Sequence, residues 1–408
     1  MNKALAEERR PTAMPSGTLQ NAETWVRHQL QIGISTHFGM HGVSTNTFEW
    51  LASSGADGLR DEAYWDHVEH VPGRLIIPSH VRAWYELAIR ARLLPLLLLS
   101  YGNPAYQNGD LPTTDEGRSG FARYAAFVAR SLPAIQQFQI WNEWELKGTA
   151  GKHGQANHYL QLVRAVASVL RAERPNALVL PAGVHRTSFF NGYLESLVRG
   201  GLLAHVDGIA LHTYRFDESD PSPEAWYAEM CHLSTQIAMW NPVRSGRGEQ
   251  ANLYITEMGV PSHLGHSGVT QAAQADYLER CILLAMLVPR LRGLWWYTLS
   301  DKGQTPWDSE DHYGLLKQNG KAKLSGLRLT LLLARLKAVV RVTIVDKRPS
   351  RWAIQLYLNN GWSWLVQWAP DAKNDGVRAI DPPQAAFSPK LPALALNGTP
   401  VWTLKPPV

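Results

Sequence analysis

Eight short apolar runs, each followed by a longer stretch, recur along this chain from about residue 30 onward. The runs cover residues 32–37, 56–60, 93–100, 135–143, 177–185, 206–214, 252–257 and 293–300. In the stretch at residues 155–172, Leu160, Val163 and Leu170 recur at helical spacing. Such alternation is typical of repeated βα units around a parallel sheet. Eight units over about 300 residues predict an α/β fold, the (β/α)8 TIM barrel.

A doubly wound parallel sheet is the main alternative for this pattern. It is less consistent with the sequence because the unit count is eight and no Gly-x-Gly-x-x-Gly turn follows the first run. Beyond residue 337 the pattern changes to alternating strands, with the hairpin-forming pair Asn360-Gly361 between two of them. We therefore predict an N-terminal tail at residues 1–28, a barrel at 29–337 and a small β-sheet or β-sandwich domain at 338–408.

Composition and charge argue against several partners. The 40 basic and 35 acidic residues give a net charge of +5, and they are dispersed rather than clustered, so we predict no nucleic-acid binding. The apolar runs are much shorter than the roughly 20 residues of a membrane helix, so we predict no membrane span. Residues 1–20 lack the apolar core of a signal peptide, which predicts a cytoplasmic protein as written, or a periplasmic or secreted one if a leader was removed.

Two of the predicted strands end in a glutamate with polar and aromatic neighbours. Trp141-Asn142-Glu143 ends the fourth run, and Thr256-Glu257-Met258-Gly259 ends the seventh. In a TIM barrel the carboxyl ends of the strands meet in one cleft, so both carboxyl groups are expected there. Two carboxyl groups about 5–5.5 Å apart can cleave a glycosidic bond with retention of configuration. The alternative is a pair of ordinary surface glutamates.

These motifs resemble those of the clan A glycoside hydrolases. Trp141-Asn142-Glu143 is similar to the acid/base motif of that clan, and residues 255–259 are similar to its nucleophile strand. His212-Thr213-Tyr214, and Trp295-Trp296-Tyr297 with Asp301, look like its sixth and eighth strands. Over residues 30–325 the chain most resembles family 39, which includes β-xylosidases, α-L-iduronidases and enzymes that trim bacterial exopolysaccharides.

The resemblance implies that Glu143 is the general acid/base, that Glu257 is the nucleophile and that Asn142 binds the substrate 2-hydroxyl. The chain departs from the family pattern at two places. Trp144-Glu145 stands where many clan members have Pro-Asn, and Met258 stands where an aromatic residue often follows the nucleophile. These departures bear on substrate identity, and Glu145 is a second candidate for the acid.

A nucleophilic carboxylate must stay ionised, which requires a cation or hydroxyl donors beside it. Arg60, at the end of the second run, and Tyr214, at the end of the sixth, are the candidates beside Glu257. Two alternatives are open: Arg60 pairs with Asp61 or another barrel carboxylate, and Tyr214 serves only in packing.

Four further residues are candidates for substrate binding. His37 and His212 can donate hydrogen bonds to sugar hydroxyls, and the rings of Trp141 and Trp296 can stack on a pyranose. The alternatives are structural histidines and tryptophans of the hydrophobic core. Side chains alternate along a strand, so only one of Trp295 and Trp296 is expected to face the cleft.

The sequence indicates neither a metal nor a cofactor. Three histidine pairs have spacings suited to a metal, but each lacks a third ligand nearby. The prediction is a retaining glycosidase that cleaves an oligo- or polysaccharide through a covalent glycosyl-enzyme. The alternatives are a non-catalytic carbohydrate-binding barrel and a transglycosylase that uses the same glutamates.

Overall fold

A computed structural model of the protein describes residues 24–25, 30–146, 154–241, 251–370 and 398–407. The strands are β1 (Thr24–Trp25), β2 (Gln31–Ser35), β3 (Gly58–Tyr64), β4 (Leu94–Ser100), β5 (Gln137–Ile140), β6 (Leu178–Leu180), β7 (Val184–His185), β8 (Gly208–His212), β9 (Asn252–Met258), β10 (Leu291–Trp296), β11 (Val339–Arg348), β12 (Arg351–Leu358), β13 (Ser363–Trp368) and β14 (Val401–Lys405). The helices are α1 (Phe38–His41), α2 (Thr45–Ser53), α3 (Trp65–Val68), α4 (Ser79–Arg90), α5 (Asp115–Ser131), α6 (Ala156–Glu173), α7 (Tyr193–Arg199), α8 (Pro223–Trp240), α9 (Gln271–Ala285) and α10 (Leu324–Leu336). Among these described helices, none has both the length and the apolar character needed to cross a bilayer.

The larger sheet contains nine parallel strands in the order β6-β5-β4-β3-β2-β10-β9-β8-β7. β6 and β7 are two pieces of one barrel strand, separated by residues 181–183. The first piece pairs with β5 and the second pairs with β8, so eight strand positions form a closed ring. The predicted (β/α)8 barrel is therefore confirmed, and each of the eight predicted runs contributes to it.

The interior of the barrel is filled by side chains that point inward from alternate strand positions. Trp295 lies there in a cluster with Leu96, Leu180, Ala210 and Tyr254. Its indole fits because β2 carries Gly33, where a Cβ atom would lie 2.3 Å from the ring. The outward-facing strand residues pack against the helices in a second, much larger core. The interior is thus filled below the cleft, as barrel packing requires.

The smaller sheet is antiparallel, with the order β1-β11-β12-β13-β14. The predicted hairpin turn at Asn360-Gly361 joins β12 to β13, and Gly361 adopts a φ of 86°, which favours glycine. β1 belongs to the predicted N-terminal tail, yet its backbone pairs with Val342 and Thr343 of β11. The rest of that tail (residues 1–23 and 26–28) and residues 371–397 and 408 of the predicted β domain lie outside the described residues.

Two tryptophans connect the small sheet to the barrel helices through buried carboxylates. Trp368 of β13 donates its indole N–H to Glu224 of α8 at 2.6 Å, and Trp402 of β14 donates to Glu279 of α9 at 2.6 Å. Glu224 also accepts hydrogen bonds from Arg280 of α9, which is 4% exposed. One carboxylate therefore holds two barrel helices and the small sheet together.

We expect Glu224→Ala to lower the free energy of unfolding by about 3–5 kcal/mol, because it leaves Arg280 buried without its partner. Urea unfolding followed by tryptophan fluorescence measures this loss. The matched control is Glu173→Ala, which removes a pair with Arg130, a side chain that is 55% exposed, and should cost at most about 1 kcal/mol. Equal losses in the two variants would contradict the role assigned to Glu224.

Candidate active site

The carboxyl ends of the barrel strands surround a cleft with a volume of about 580 Å³. Cavities of this size are usual for small-molecule and sugar sites. Six of the residues predicted from sequence line this cleft: His37, Arg60, Asn142, Glu143, Tyr214 and Glu257. Three do not line it: Trp141, His212 and Trp296. The cleft is thus where the barrel fold places it, and most of the predicted polar residues meet there.

The two glutamates face each other across this cleft. Glu143 follows β5, and Glu257 lies near the end of β9. One carboxyl oxygen of each lies within 4.8 Å of the other, and the two side chains are 15% and 11% exposed. The backbone turns sharply after β5, with left-handed φ values of 71° at Trp141 and 45° at Glu143. This turn sends the indole of Trp141 into the core and the carboxyl group of Glu143 into the cleft.

Glu257 is surrounded by donors and positive charge. Its Oε1 accepts a hydrogen bond from Arg60 Nη1 at 2.8 Å, and its Oε2 accepts one from the Tyr214 hydroxyl at 2.8 Å. Nδ1 of His212 lies 3.6 Å from Oε2. Burial alone would raise the pKa of Glu257, but the charges of His212 and Arg60 and the Tyr214 hydrogen bond outweigh it and lower the pKa to about 2. This carboxyl group is therefore ionised at neutral pH.

Arg60 connects three strands beneath the cleft. Its Nη2 donates to Asn142 Oδ1 at 2.7 Å, and its Nε donates to Gln139 Oε1 at 2.7 Å. Because the oxygen of the Asn142 amide accepts from the guanidinium, its nitrogen is the group that can donate to a ligand. Asp61, the alternative partner for Arg60, instead accepts the backbone N–H groups of residues 38 and 39 at 2.8 and 2.7 Å.

The sequence predicts that His212 contacts substrate, and the structure corrects this prediction. The residue is fully buried and does not line the cleft. Its Nδ1 lies 2.9 Å from Oε1 of Glu143 as well as 3.6 Å from Glu257. The interruption between β6 and β7 makes room for the ring, since a Cβ atom at Gly183 would lie 2.0 Å from His212 Nε2. His212 therefore acts on both carboxyl groups from behind them.

Trp296 and Trp141 also require correction as sugar platforms. Trp296 is 1% exposed and packs against Tyr277 of α9, because alternation along β10 points Trp295 inward and Trp296 outward. The next residue, Tyr297, lines the cleft in its place. Trp141 is 2% exposed and lies behind Tyr101, an aromatic residue of the cleft, with ring centroids 5.9 Å apart. Both tryptophans belong to the hydrophobic core.

Glu145, the second candidate for the acid, lies outside the cleft lining. It is 3% exposed and accepts the backbone N–H of His185 at 2.6 Å. Burial raises its pKa to about 7, against the opposing effect of that hydrogen bond. Its position beside the strand that carries His185 suits a structural role.

Several residues of the cleft are not among those predicted from the sequence. Alternation of side chains along a strand could have identified Glu62 and Tyr297 as cleft residues. Glu62 lies two positions beyond Arg60, and Tyr297 lies two positions beyond Trp295, and both Arg60 and Trp295 point into the barrel. Lys302 and Glu310 come from the loop that follows β10, where no periodic pattern marks a side chain as facing the cleft. Loop residues of this kind become visible only in three dimensions.

Glu143, His212 and Glu257 also present three ligand atoms close enough together for a metal ion. The arrangement suits a hydrogen-bonded acid/base cluster better, because Arg60 and Tyr214 already occupy Glu257 and His212 already bonds to Glu143. The absence of a metal from the reaction stays a prediction.

Comparison with known proteins places this fold among glycosidases of known structure. The chain is similar to a family 39 glycoside hydrolase from the gut symbiont Bacteroides cellulosilyticus, with a TM-score of 0.70 and 20% identity over 84% of this chain and 71% of that one. The structures that it resembles in fold are glycoside hydrolases of families 39 and 5. A monomeric β-xylosidase from Caulobacter crescentus matches with a TM-score of 0.63 and 18% identity over 86% of this chain and 76% of that one.

A family 39 enzyme from Xanthomonas axonopodis pv. citri matches with a TM-score of 0.59 and 17% identity over 82% of this chain and 73% of that one. At the level of sequence, neither a protein-family model nor a curated protein matches the chain. The likeness to these glycosidases therefore lies in the three-dimensional fold.

We expect the pKa of Glu257 to rise in Tyr214→Phe and to rise further in Arg60→Met. Each substitution removes a group that favours the ionised carboxylate, so the effect of burial, which raises the pKa, is less opposed. Carboxyl ¹³C NMR of glutamate-labelled protein, assigned with Glu257→Gln, measures the pKa. Met40→Leu, which changes an uncharged and exposed side chain of the cleft, is the control and should leave the pKa unchanged. An unchanged pKa in Arg60→Met would contradict the electrostatic account.

Proposed function

We propose that the protein is a retaining glycoside hydrolase, with Glu257 as nucleophile and Glu143 as general acid/base. The observation that carries the proposal is the approach of the two carboxyl groups to within 4.8 Å over a single cleft. So close an approach of one oxygen from each group favours the roughly 5–5.5 Å spacing of retaining enzymes over the roughly 6.5–9.5 Å of inverting ones, which must leave space for a water molecule. The fold shared with glycoside hydrolases supports the same conclusion.

The surroundings of Glu257 suit the first step. One carboxylate oxygen of Glu257 attacks the anomeric carbon and forms a C–O bond with it. At the same time the bond from the anomeric carbon to the leaving oxygen breaks, and Glu143 gives its proton to the leaving oxygen. Arg60 and Tyr214 keep the attacking group ionised and fix its direction. Asn142, held by Arg60, can present its amide N–H to the substrate 2-hydroxyl.

The second step returns both groups to their starting states. Glu143, now a carboxylate, removes a proton from water, and the hydroxide attacks the anomeric carbon and displaces Glu257. His212 contacts both glutamates and can stabilise whichever of them carries the charge. An oligo- or polysaccharide is the substrate proposed. Product analysis that shows transfer to sugars in preference to water would indicate a transglycosylase with the same two groups.

We expect Glu257→Gln to lower kcat on an aryl glycoside by at least about 10⁴-fold, because an amide cannot form the covalent intermediate. Substrate screening with the wild type identifies the glycoside, and stopped spectrophotometric assays measure the loss. Glu310→Gln, a change of the same kind at an exposed cleft residue, is the control and should retain most of its activity. Activity near the wild-type level in folded Glu257→Gln would contradict the nucleophile assignment.

For Glu143→Ala we expect turnover of an activated aryl glycoside to recover when azide is added. Azide needs no general base and can occupy the space that the carboxyl group leaves, so the product should be a glycosyl azide of retained configuration. NMR of the product measures its configuration. In the control, Glu145→Ala, azide should have no effect, since Glu145 lies outside the cleft lining. An azide effect only in the Glu145 variant would transfer the acid/base role to that residue.

A further inference from the structure

A third carboxylate, Glu62, lies in the cleft and has no part in the reaction described above. It lies on β3, is 4% exposed and lines the cleft together with His37. Glu62 Oε1 and His37 Nδ1 are 2.7 Å apart. Burial alone would lower the pKa of His37, but the charge of Glu62 and this hydrogen bond raise it. The two side chains therefore form a fixed acid–histidine pair on the wall of the cleft.

The second polar atom of each member is without a partner. Within the described parts of the chain, neither Glu62 Oε2 nor His37 Nε2 forms a hydrogen bond, although both atoms are shielded from bulk water. A buried polar atom without a partner is costly, and in a cleft this is explained when a ligand supplies the missing bond. Together they offer one acceptor and one ring nitrogen to the hydroxyl groups of a sugar.

The position of the pair relates it to a particular part of the substrate. Glu62 lies two residues beyond Arg60 on the same face of β3, about 6.6 Å further along the strand toward the mouth of the cleft. Arg60 holds Glu257, the group proposed to attack the anomeric carbon. Glu62 and His37 therefore line the same cleft as the attacking carboxylate, where they can meet hydroxyl groups of the sugar that Glu257 attacks.

The other charges of the cleft decide which sugars can bind. Among the described residues, six aspartate or glutamate side chains, including the proposed acid Glu143, but only three arginine or lysine side chains line it. Each of the three already has a carboxylate partner: Arg60 with Glu257, Arg186 with Glu218 and Glu229, and Lys302 with Glu310. Burial lowers the pKa of His185, so this residue adds little positive charge. Among the described residues of the cleft, a sugar carboxylate would therefore find no unpaired arginine or lysine, and Glu62 Oε2, which can only accept a hydrogen bond, could form none with it.

From these observations we propose that Glu62, together with His37, is a specificity-determining residue that binds hydroxyl groups of an uncharged sugar and repels a sugar carboxylate. This inference rests on the proposed function, since it describes the sugar that Glu257 attacks. It assigns a direct substrate contact to Glu62 and makes uronides poor substrates.

The test uses pairs of aryl hexopyranosides and hexuronides that differ only in a CH₂OH or carboxylate group, in the gluco, galacto and manno configurations. Calorimetry with the inactive Glu257→Gln variant measures binding, and assays with the wild type measure kcat/KM. We expect the neutral member of the pair with the preferred configuration to be favoured by at least about 30-fold. In Glu62→Gln, kcat/KM for the neutral member should fall about 10- to 100-fold, the usual effect of losing a hydrogen bond to a charged group. The ratio of kcat/KM for the neutral sugar to kcat/KM for the uronide should therefore become smaller.

Asp217→Asn is the matched control, because it removes one negative charge from an exposed residue of the same cleft. It should leave the preference for the neutral sugar nearly unchanged. Deoxy analogues of the neutral substrate add a second readout: loss of the hydroxyl that contacts Glu62 should weaken the wild type but not Glu62→Gln.

Two results would overturn the inference: uronides that bind at least as tightly as their neutral partners, or a preference that Glu62→Gln leaves intact. Failure of every neutral glycoside to bind would also overturn it. Neutral glycosides that bind Glu257→Gln but are not cleaved by the wild type would instead overturn the proposed function and leave the binding inference standing.

Discussion

The site depends on one buried guanidinium. Arg60 is 3% exposed and donates to Glu257, Asn142 and Gln139, which come from β9 and from the strand and turn at β5. Burying an arginine is costly unless its charge is paired and its donors are satisfied, and here three fixed acceptors meet both conditions. The same contacts fix the directions of a carboxylate and an amide, so stability and orientation come from one set of hydrogen bonds.

The two facing glutamates differ because their neighbours differ. Glu257 accepts from a cation and a phenol, which hold it ionised, whereas Glu143 has His212 as its partner and lies beside the aromatic cluster around Trp141. His212 reaches both groups only because the fifth barrel strand is interrupted and Gly183 has no side chain. A local departure from ideal barrel geometry thus creates the contact that couples the two carboxyl groups.

Prediction from the sequence is correct where periodicity carries the information. Eight apolar runs identified eight barrel strands, and the glutamates at the ends of two runs indicated which residues meet in the cleft. The prediction that Trp296 faces the cleft is wrong because two tryptophans are adjacent on this strand, and alternation alone does not say which of them points into the barrel. The decisive contact is between Trp295 and Gly33, on a neighbouring strand far away in sequence.

The sequence by itself determined the barrel, the small antiparallel sheet and the polar residues at the strand ends, because apolar spacing and turn residues act over short distances along the chain. Only the tertiary structure decided that β1 joins the small sheet, that His212 lies behind both glutamates and that Glu62 pairs with His37. These depend on which strands become neighbours and how closely their backbones approach. Such long-range contacts are set by packing of the whole barrel, which no local pattern encodes.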